Sequence, residues 1–170
     1  TTRIMGISMS FPIENKKRKE NGKLNLEILN IYAPHNGLEY CDAFDYHLDS
    51  ICRNTTPNAH LIIAGDLNTA IGRRDPNIDL TNTTSKCIGP YGINPPGGIC
   101  PREEPYISLM LTYNLRHITS FFSHRIYSTH YNNLTKQHRQ LDYFLIPISL
   151  FIPIKDAYTS KALVPTDHEQ

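Results

Sequence analysis

Leu61-Ile62-Ile63-Ala64-Gly65-Asp66-Leu67-Asn68-Thr69-Ala70 is an apolar run that ends in an acid, a leucine and an amide. A short continuous apolar run of this kind fits a strand covered on both sides. Such a strand usually meets solvent at Gly, Pro or a long charged side chain, so two short oxygen-bearing residues at its mouth ask for a purpose. Side chains two apart along a strand share a face. Asp66 and Asn68 are therefore expected to point the same way at the mouth of a buried strand.

Working outward, residues 3–10 alternate, with Met5, Ile7 and Met9 on one side, and Leu24, Leu26 and Ile28 alternate again before Asn30 and Tyr32. Two strands are predicted, joined by a basic loop that closes at Asn21-Gly22. Pro34 ends the second strand, and Asn30 and Tyr32 share a face at its end. Asn36-Gly37-Leu38-Glu39 has the cap-then-glutamate spacing of a helix start, with Leu38, Cys41, Phe44, Leu48 and Ile51 at helical intervals, which predicts a helix to about Arg53. Residues 71–101 are mostly Gly, Pro, Asn and Thr and read as a long surface loop; loops of this length are functional or disordered. Residues 101–113 suit a second helix with Ile107, Met110 and Leu111 inward, and Pro105 is tolerated there because it falls in the first turn. Short strands are expected at 115–122, 126–131, 140–146 and 160–164. A strand-rich pattern with inserted helices predicts an α/β (α+β) fold, a two-sheet β-sandwich flanked by helices.

At 170 residues the chain can bury one real core. A formal charge of +1 with 39% hydrophobic residues suits a globular domain and gives no global electrostatic claim on nucleic acid or membrane. Lys16-Lys17-Arg18-Lys19 is the only concentrated charge, and a solvated loop accounts for it. The cysteines at 41, 52, 87 and 100 contain no CxxC pair, so a zinc site or a disulfide framework has little support and reduced thiols are expected. No apolar run approaches the roughly 18 residues of a membrane span, and no leader-like segment opens the chain. Asn54, Asn82 and Asn133 start Asn-x-Thr triplets, read as chance in the absence of a secretory signal.

One acid stands out further along. Asp142 sits within Gln140-Leu141-Asp142-Tyr143-Phe144-Leu145, which otherwise reads as buried. An ionised carboxylate inside a sheet is costly unless it is paired or binds a cation. Asp167-His168 offers a partner.

Together these residues resemble the endonuclease/exonuclease/phosphatase superfamily of divalent-metal phosphodiesterases. Asn30-Ile31-Tyr32-Ala33-Pro34 is similar to its NxYxP strand end, Gly65-Asp66-Leu67-Asn68 to its GDxN motif, Leu141-Asp142-Tyr143-Phe144 to its DYxL segment, and Thr166-Asp167-His168 to its terminal S/T-D-H. GDLN alone would be a weak signal; the order and spacing of the set carry the resemblance. Ile88-Gly89-Pro90-Tyr91-Gly92 and residues 115–122 are also similar to the non-LTR retrotransposon endonuclease branch, and the 141–168 region resembles abasic-site endonucleases.

The resemblance implies a DNase I-like fold, Mg²⁺ or Mn²⁺ as cofactor and DNA as partner, with no membrane association. Asp66 would orient or deprotonate the attacking water, or assist the leaving oxygen. Asn68 would hold the scissile phosphate, and Tyr32 would donate its hydroxyl to it. His168 would donate to a non-bridging oxygen, with Asp142 on its other ring nitrogen. Asp167, with Asp66, would lie near the metal. Asn30 is a further substrate contact, and Arg73 and Arg74, just beyond the GDLN strand, are placed to meet DNA backbone. Cleavage would leave a 3′-hydroxyl. An intracellular location, nuclear for a DNA-nicking enzyme, follows from the same logic.

The family pattern also opens with a strand carrying an asparagine and a second strand ending in a metal-binding glutamate. Only Glu14, Glu20 and Glu27 precede Tyr32, and none ends an apolar strand. The expectation is a single domain over 1–170 that lacks its opening strands and the closing strand after Gln170. Two other functions stay open: a non-catalytic or nucleic-acid-binding remnant of a mobile element, and a phosphatase of the same superfamily. His35 and His130 depart from residues common in abasic-site enzymes, at positions that would alter substrate contacts more than chemistry.

Overall fold

A computed structural model describes residues 3–15, 20–35, 38–73, 86–94 and 102–160. Strands β1 (Ile4–Asn15) and β2 (Glu20–Tyr32) form a long antiparallel hairpin. The helix α1 (Leu38–Arg53) then crosses over to β3 (Ala59–Asp66), which pairs parallel to β2. A parallel pair requires such a crossover. Helix α2 (Glu103–Thr112), β4 (Leu115–His117), the ribbon β5 (His130–Asn132) and β6 (Gln137–Arg139), β7 (Asp142–Pro147) and the short α3 (Ile148–Phe151) complete the order. The strands make a five-stranded sheet, β1-β2-β3-β7-β4, and a separate two-stranded one, β5-β6. The expected mixed α/β architecture with two sheets is thus present, the second reduced to a ribbon among the described residues.

β3 lies at the centre of the large sheet, and Leu61, Ile62 and Ile63 are all buried, as the unbroken apolar run predicts. On one face Leu61 and Ile63 join Leu29, Ile31, Leu48, Cys52, Tyr106, Met110 and Leu145 in the main core. On the other face Ile62 packs with Ile118 and Ile146, and Leu26, Ile28, Phe151 and Ile154 close over them. α1 contributes Cys41, Leu48 and Cys52 to the buried set, close to the predicted stripe. α2 buries Tyr106, Ile107, Leu109 and Met110, and Pro105 does fall in its first turn. Cys41, Cys52 and Cys87 are buried, and burial pushes the Cys52 thiol up to about 12 and the Cys87 thiol up to about 11.

Several elements differ from the sequence-based expectations. β2 already begins at Glu20, so Asn21 and Gly22 pair with Glu14 and Ile13 inside the hairpin instead of closing its loop. The strand expected over 115–122 stops at His117 and becomes a 3-10 helix, Ile118–Phe121. The Ser120 hydroxyl explains the switch: it donates to His117 O at 2.6 Å and accepts the Gly89 N–H at 2.8 Å, drawing the backbone out of the ladder. The strand expected over 126–131 is confined to β5, whose turn is built by Asn132 Oδ1 accepting the N–H groups of Leu134 and Thr135. Ser160 is outside any strand, and the rest of the stretch 161–164, like Lys16 to Lys19, Asn36, Gly37 and Cys100, lies outside the described residues.

Candidate active site

Register decides which motif residues meet. Tyr32 of β2 is aligned with Asp66 of β3, and Asp66 with Asp142 of β7. Residues directly opposite across neighbouring strands share a face, with Cα atoms about 4.5–5.5 Å apart in an antiparallel pair. Three elements distant in sequence therefore place a phenol and two carboxylates in one row at the end of the sheet. Asn30, two residues before Tyr32, joins them on the same face. All four line an open groove of about 470 Å³, together with Arg3, Ile4, Met5, Ile31 and Gly65.

Each position has a local cause. Gly65 has φ 129°, and a side chain there would run into the Ile31 carbonyl oxygen, so only glycine lets β2 and β3 approach at this level. Asp66 ends its strand and is buried, and its Oδ1 accepts the Asn68 N–H at 2.7 Å, an Asx turn. Asn68 has φ 48°, so the strand alternation from which its shared face with Asp66 was expected ends before it. Its Nδ2 donates to Ala33 O at 2.7 Å, tying the GDLN turn to the end of β2. An amide carries two N–H donors, so the tie leaves one for a ligand. Asp142 is set by Thr129, whose hydroxyl oxygen accepts the N–H groups of Leu141 and Asp142 at 2.9 and 3.0 Å.

A buttress stands behind the row. Arg102 donates to Pro34 O at 3.0 Å and pairs with Asp45 at 3.2 Å, fixing the turn after Tyr32 to α1 and α2. Burial pushes the Asp45 carboxyl up, against the opposing pull of Arg102. The Tyr143 hydroxyl accepts the Ile71 N–H at 2.7 Å and donates to Gln140 O at 2.7 Å, pinning the chain after the GDLN turn. Glu103 accepts the Gly72 N–H at 3.0 Å, and burial pushes its carboxyl up.

Arg73 is exposed and does not line the groove; its N–H donates to Asn94 Oδ1 at 3.2 Å. Arg74, Asp167 and His168 lie outside the described residues. Three contributors escaped sequence reading. Arg3 lines the groove with its guanidinium 5.4 Å from the Tyr32 ring centroid, and neither it nor Arg102 belongs to a pattern. Thr129 directly precedes His130, the position already noted as departing from abasic-site enzymes.

Mg²⁺ takes hard oxygen donors, keeps several waters and is commonly held by one or two carboxylates. Asp66 and Asp142, with the amide oxygen of Asn30, offer that chemistry. Among the described residues no group of three or more His, Cys, Asp or Glu side chains forms a metal-binding cluster. Among the described residues the donors therefore fit a cation carried by Asp66 together with water.

The mixed α/β sheet with this row at its strand ends has the DNase I-like fold, the fold expected from the motifs. Solved structures of that class match directly. A 3′-5′ exonuclease, NExo, from Neisseria meningitidis superposes with TM-score 0.58 at 14% identity, over 85% of this chain and 59% of that one. NExo from Neisseria as a 3′ phosphatase variant bound to a product DNA hairpin gives TM-score 0.59 at 12% identity, over 96% and 69%. The endonuclease domain of TRAS1, a telomere-specific non-LTR retrotransposon, gives 0.53 at 12% identity, over 98% and 66%. The chain thus spans 59% of the length of the first of these. No family model and no curated protein matches the sequence. Among the described residues no helix is long and apolar enough to cross a membrane.

Proposed function

We propose that this chain is a divalent-metal-dependent phosphodiesterase domain, a DNA endonuclease of the retrotransposon type that cleaves one strand and leaves a 3′-hydroxyl. The observation that carries the reading is the register of Tyr32, Asp66 and Asp142 across three strands. A phosphodiester transition state gathers negative charge, so its catalyst needs an oriented water and donors aimed at the phosphoryl oxygens. Bound Mg²⁺ would supply Lewis-acid charge stabilisation at those oxygens. Asp66 is the group to orient or deprotonate the attacking water. Tyr32, half-exposed above the groove, directs its hydroxyl to the phosphate, and Asn68 uses its remaining amide donor for the same purpose. Asn30 contacts the substrate. His168, with Asp142 behind it, donates to a non-bridging oxygen, and Asp167 stands near the metal. Arg73 and Arg74 meet the DNA backbone. We place a single domain of this class over 1–170, in an intracellular location that is nuclear if the enzyme nicks DNA.

Nicking of supercoiled plasmid by the purified chain in Mg²⁺, with EDTA, Asp66→Asn and His168→Ala as controls, tests the reading. Relaxed circles that require Mg²⁺, Asp66 and His168 are expected. A folded chain that nicks equally well with Asp66→Asn would remove Asp66 from the chemistry. No nicking by a folded chain would leave either a fragment that needs the rest of the domain or a non-catalytic remnant, and the repeat with the upstream segment restored would separate the two.

A further inference from the structure

Next to the acidic groove lies a second depression that the phosphodiester chemistry does not use. It is an open pocket of about 450 Å³ lined by Arg3, Pro34, His35, Tyr40 and Phe44. Tyr40 and Phe44 are four residues apart on α1 and so lie on one side of it. Tyr40 is 74% exposed, an aromatic face offered to solvent. His35, also exposed, follows directly on the Tyr32-Ala33-Pro34 strand end. Arg3 belongs to both depressions. Its position is set through the backbone, because Arg3 O accepts the Tyr32 N–H at 2.8 Å.

We propose that this pocket is a stacking subsite for an unstacked nucleobase adjoining the phosphodiester in the Asp66 groove, so that the substrate is taken as a single-stranded or locally unpaired polynucleotide. For the neighbouring chemistry this rests on the phosphodiesterase reading; the binding itself does not. Aromatic rings stack on any base face, and arginine adds a cation that serves both ring and backbone. The volume is that of a pocket for a small planar ligand, within the usual range of about 300–1,000 Å³. A polyphosphate or lipid headgroup would call for converging cations, whereas this pocket offers two aromatic rings, a proline and an imidazole beside one guanidinium. Because Arg3 is common to both depressions, one strand can run from the pocket to the acidic row without leaving it.

The test is fluorescence anisotropy of the 170-residue chain in EDTA, with a labelled oligothymidylate and an abasic deoxyribose-phosphate oligomer of equal length and charge. The base-bearing oligomer is expected to bind about tenfold tighter. Tyr40→Ala removes that preference and leaves the abasic affinity unchanged, while Tyr40→Phe retains the preference. Equal affinity of the wild-type chain for both oligomers overturns the inference. A preference that survives Tyr40→Ala, or a loss of both affinities together, overturns it as well. Asp66→Asn keeps the preference while abolishing nicking, so a chain that never nicks but prefers the base-bearing oligomer sinks only the phosphodiesterase reading.

Discussion

Asp66 and Asp142 face each other in register across β3 and β7, with Tyr32 level with them on β2. Like charges placed directly opposite on a sheet destabilise it. Keeping two acids there, at the end of a buried strand, is a local conflict of the kind that marks a functional site. Under the proposed function, a hard cation bound beside the row would offset it.

Mg²⁺ is therefore expected to raise the melting temperature of the chain. At ten times its dissociation constant the gain is about 1.4 kcal/mol. Asp66→Asn should lose most of that rise, and Asp142→Asn should keep it, because Asp142 holds the His168 ring in the proposed site. Thermal unfolding with and without Mg²⁺ measures it, and an undiminished rise in Asp66→Asn would place the cation elsewhere.

Gly65 sets the spacing on which the row depends. Alanine there would force φ 129° on a residue with a side chain and drive its methyl into the Ile31 carbonyl oxygen. Strain of this sort costs about 1–3 kcal/mol before the clash is counted. Urea unfolding of Gly65→Ala should show a loss at or above that range. A loss below 1 kcal/mol would mean that β2 and β3 can separate here without penalty.

The apolar run 61–64 and the strand-end motifs were legible in the sequence, because burial and alternation leave direct marks on composition. Neighbour relations were not: nothing in the order of residues says that β7 returns to lie beside β3. The turn at Asn68 was not foreseen, because alternation was extended beyond the strand end to a residue that adopts φ 48°. The end of β4 was missed because one hydroxyl, on Ser120, outweighs the β propensity of the residues around it. Arg3 carried no pattern at all and entered the site only through the hairpin register. The DNase I-like fold was readable from motif order, since the motifs at Tyr32, Asp66 and Asp142 are strand ends.

His117 is fully buried, and desolvation pushes its pKa down to about 3. Its Nε2 lies 2.9 Å from the Thr119 hydroxyl and 3.2 Å from Gln140 Nε2, and its ring meets Tyr143 edge-on. The folded chain thus holds a neutral imidazole that the unfolded chain protonates below about pH 6.5. Between that pH and about 3 the unfolded state binds the extra proton, so stability is present in full above the window and falls as pH drops through it. The slope from this residue is at most about 1.4 kcal/mol per pH unit. Denaturant unfolding at pH 7 and pH 5 should show the loss, and His117→Gln should flatten it. An unchanged slope in that variant would assign the acid sensitivity to other groups.

The β1–β2 hairpin presents Met5, Ile7, Phe11 and Ile13 on one face, and each is exposed, Met5 by 60% and Ile7 by 54%. β1 is also the edge of its sheet, pairing only with β2 among the described residues. A long edge strand with an apolar face templates pairing with another chain, and contiguous apolar exposure of this kind drives association. The isolated chain is accordingly expected to self-associate as its concentration rises, through β1. Ile7→Lys with Phe11→Lys should suppress this in light scattering or sedimentation. The melting temperature should change little, because neither side chain is part of the core clusters. Association that persists unchanged in the double variant would locate it on another surface. A large fall in melting temperature would show instead that the face is covered in solution by contacts within the chain.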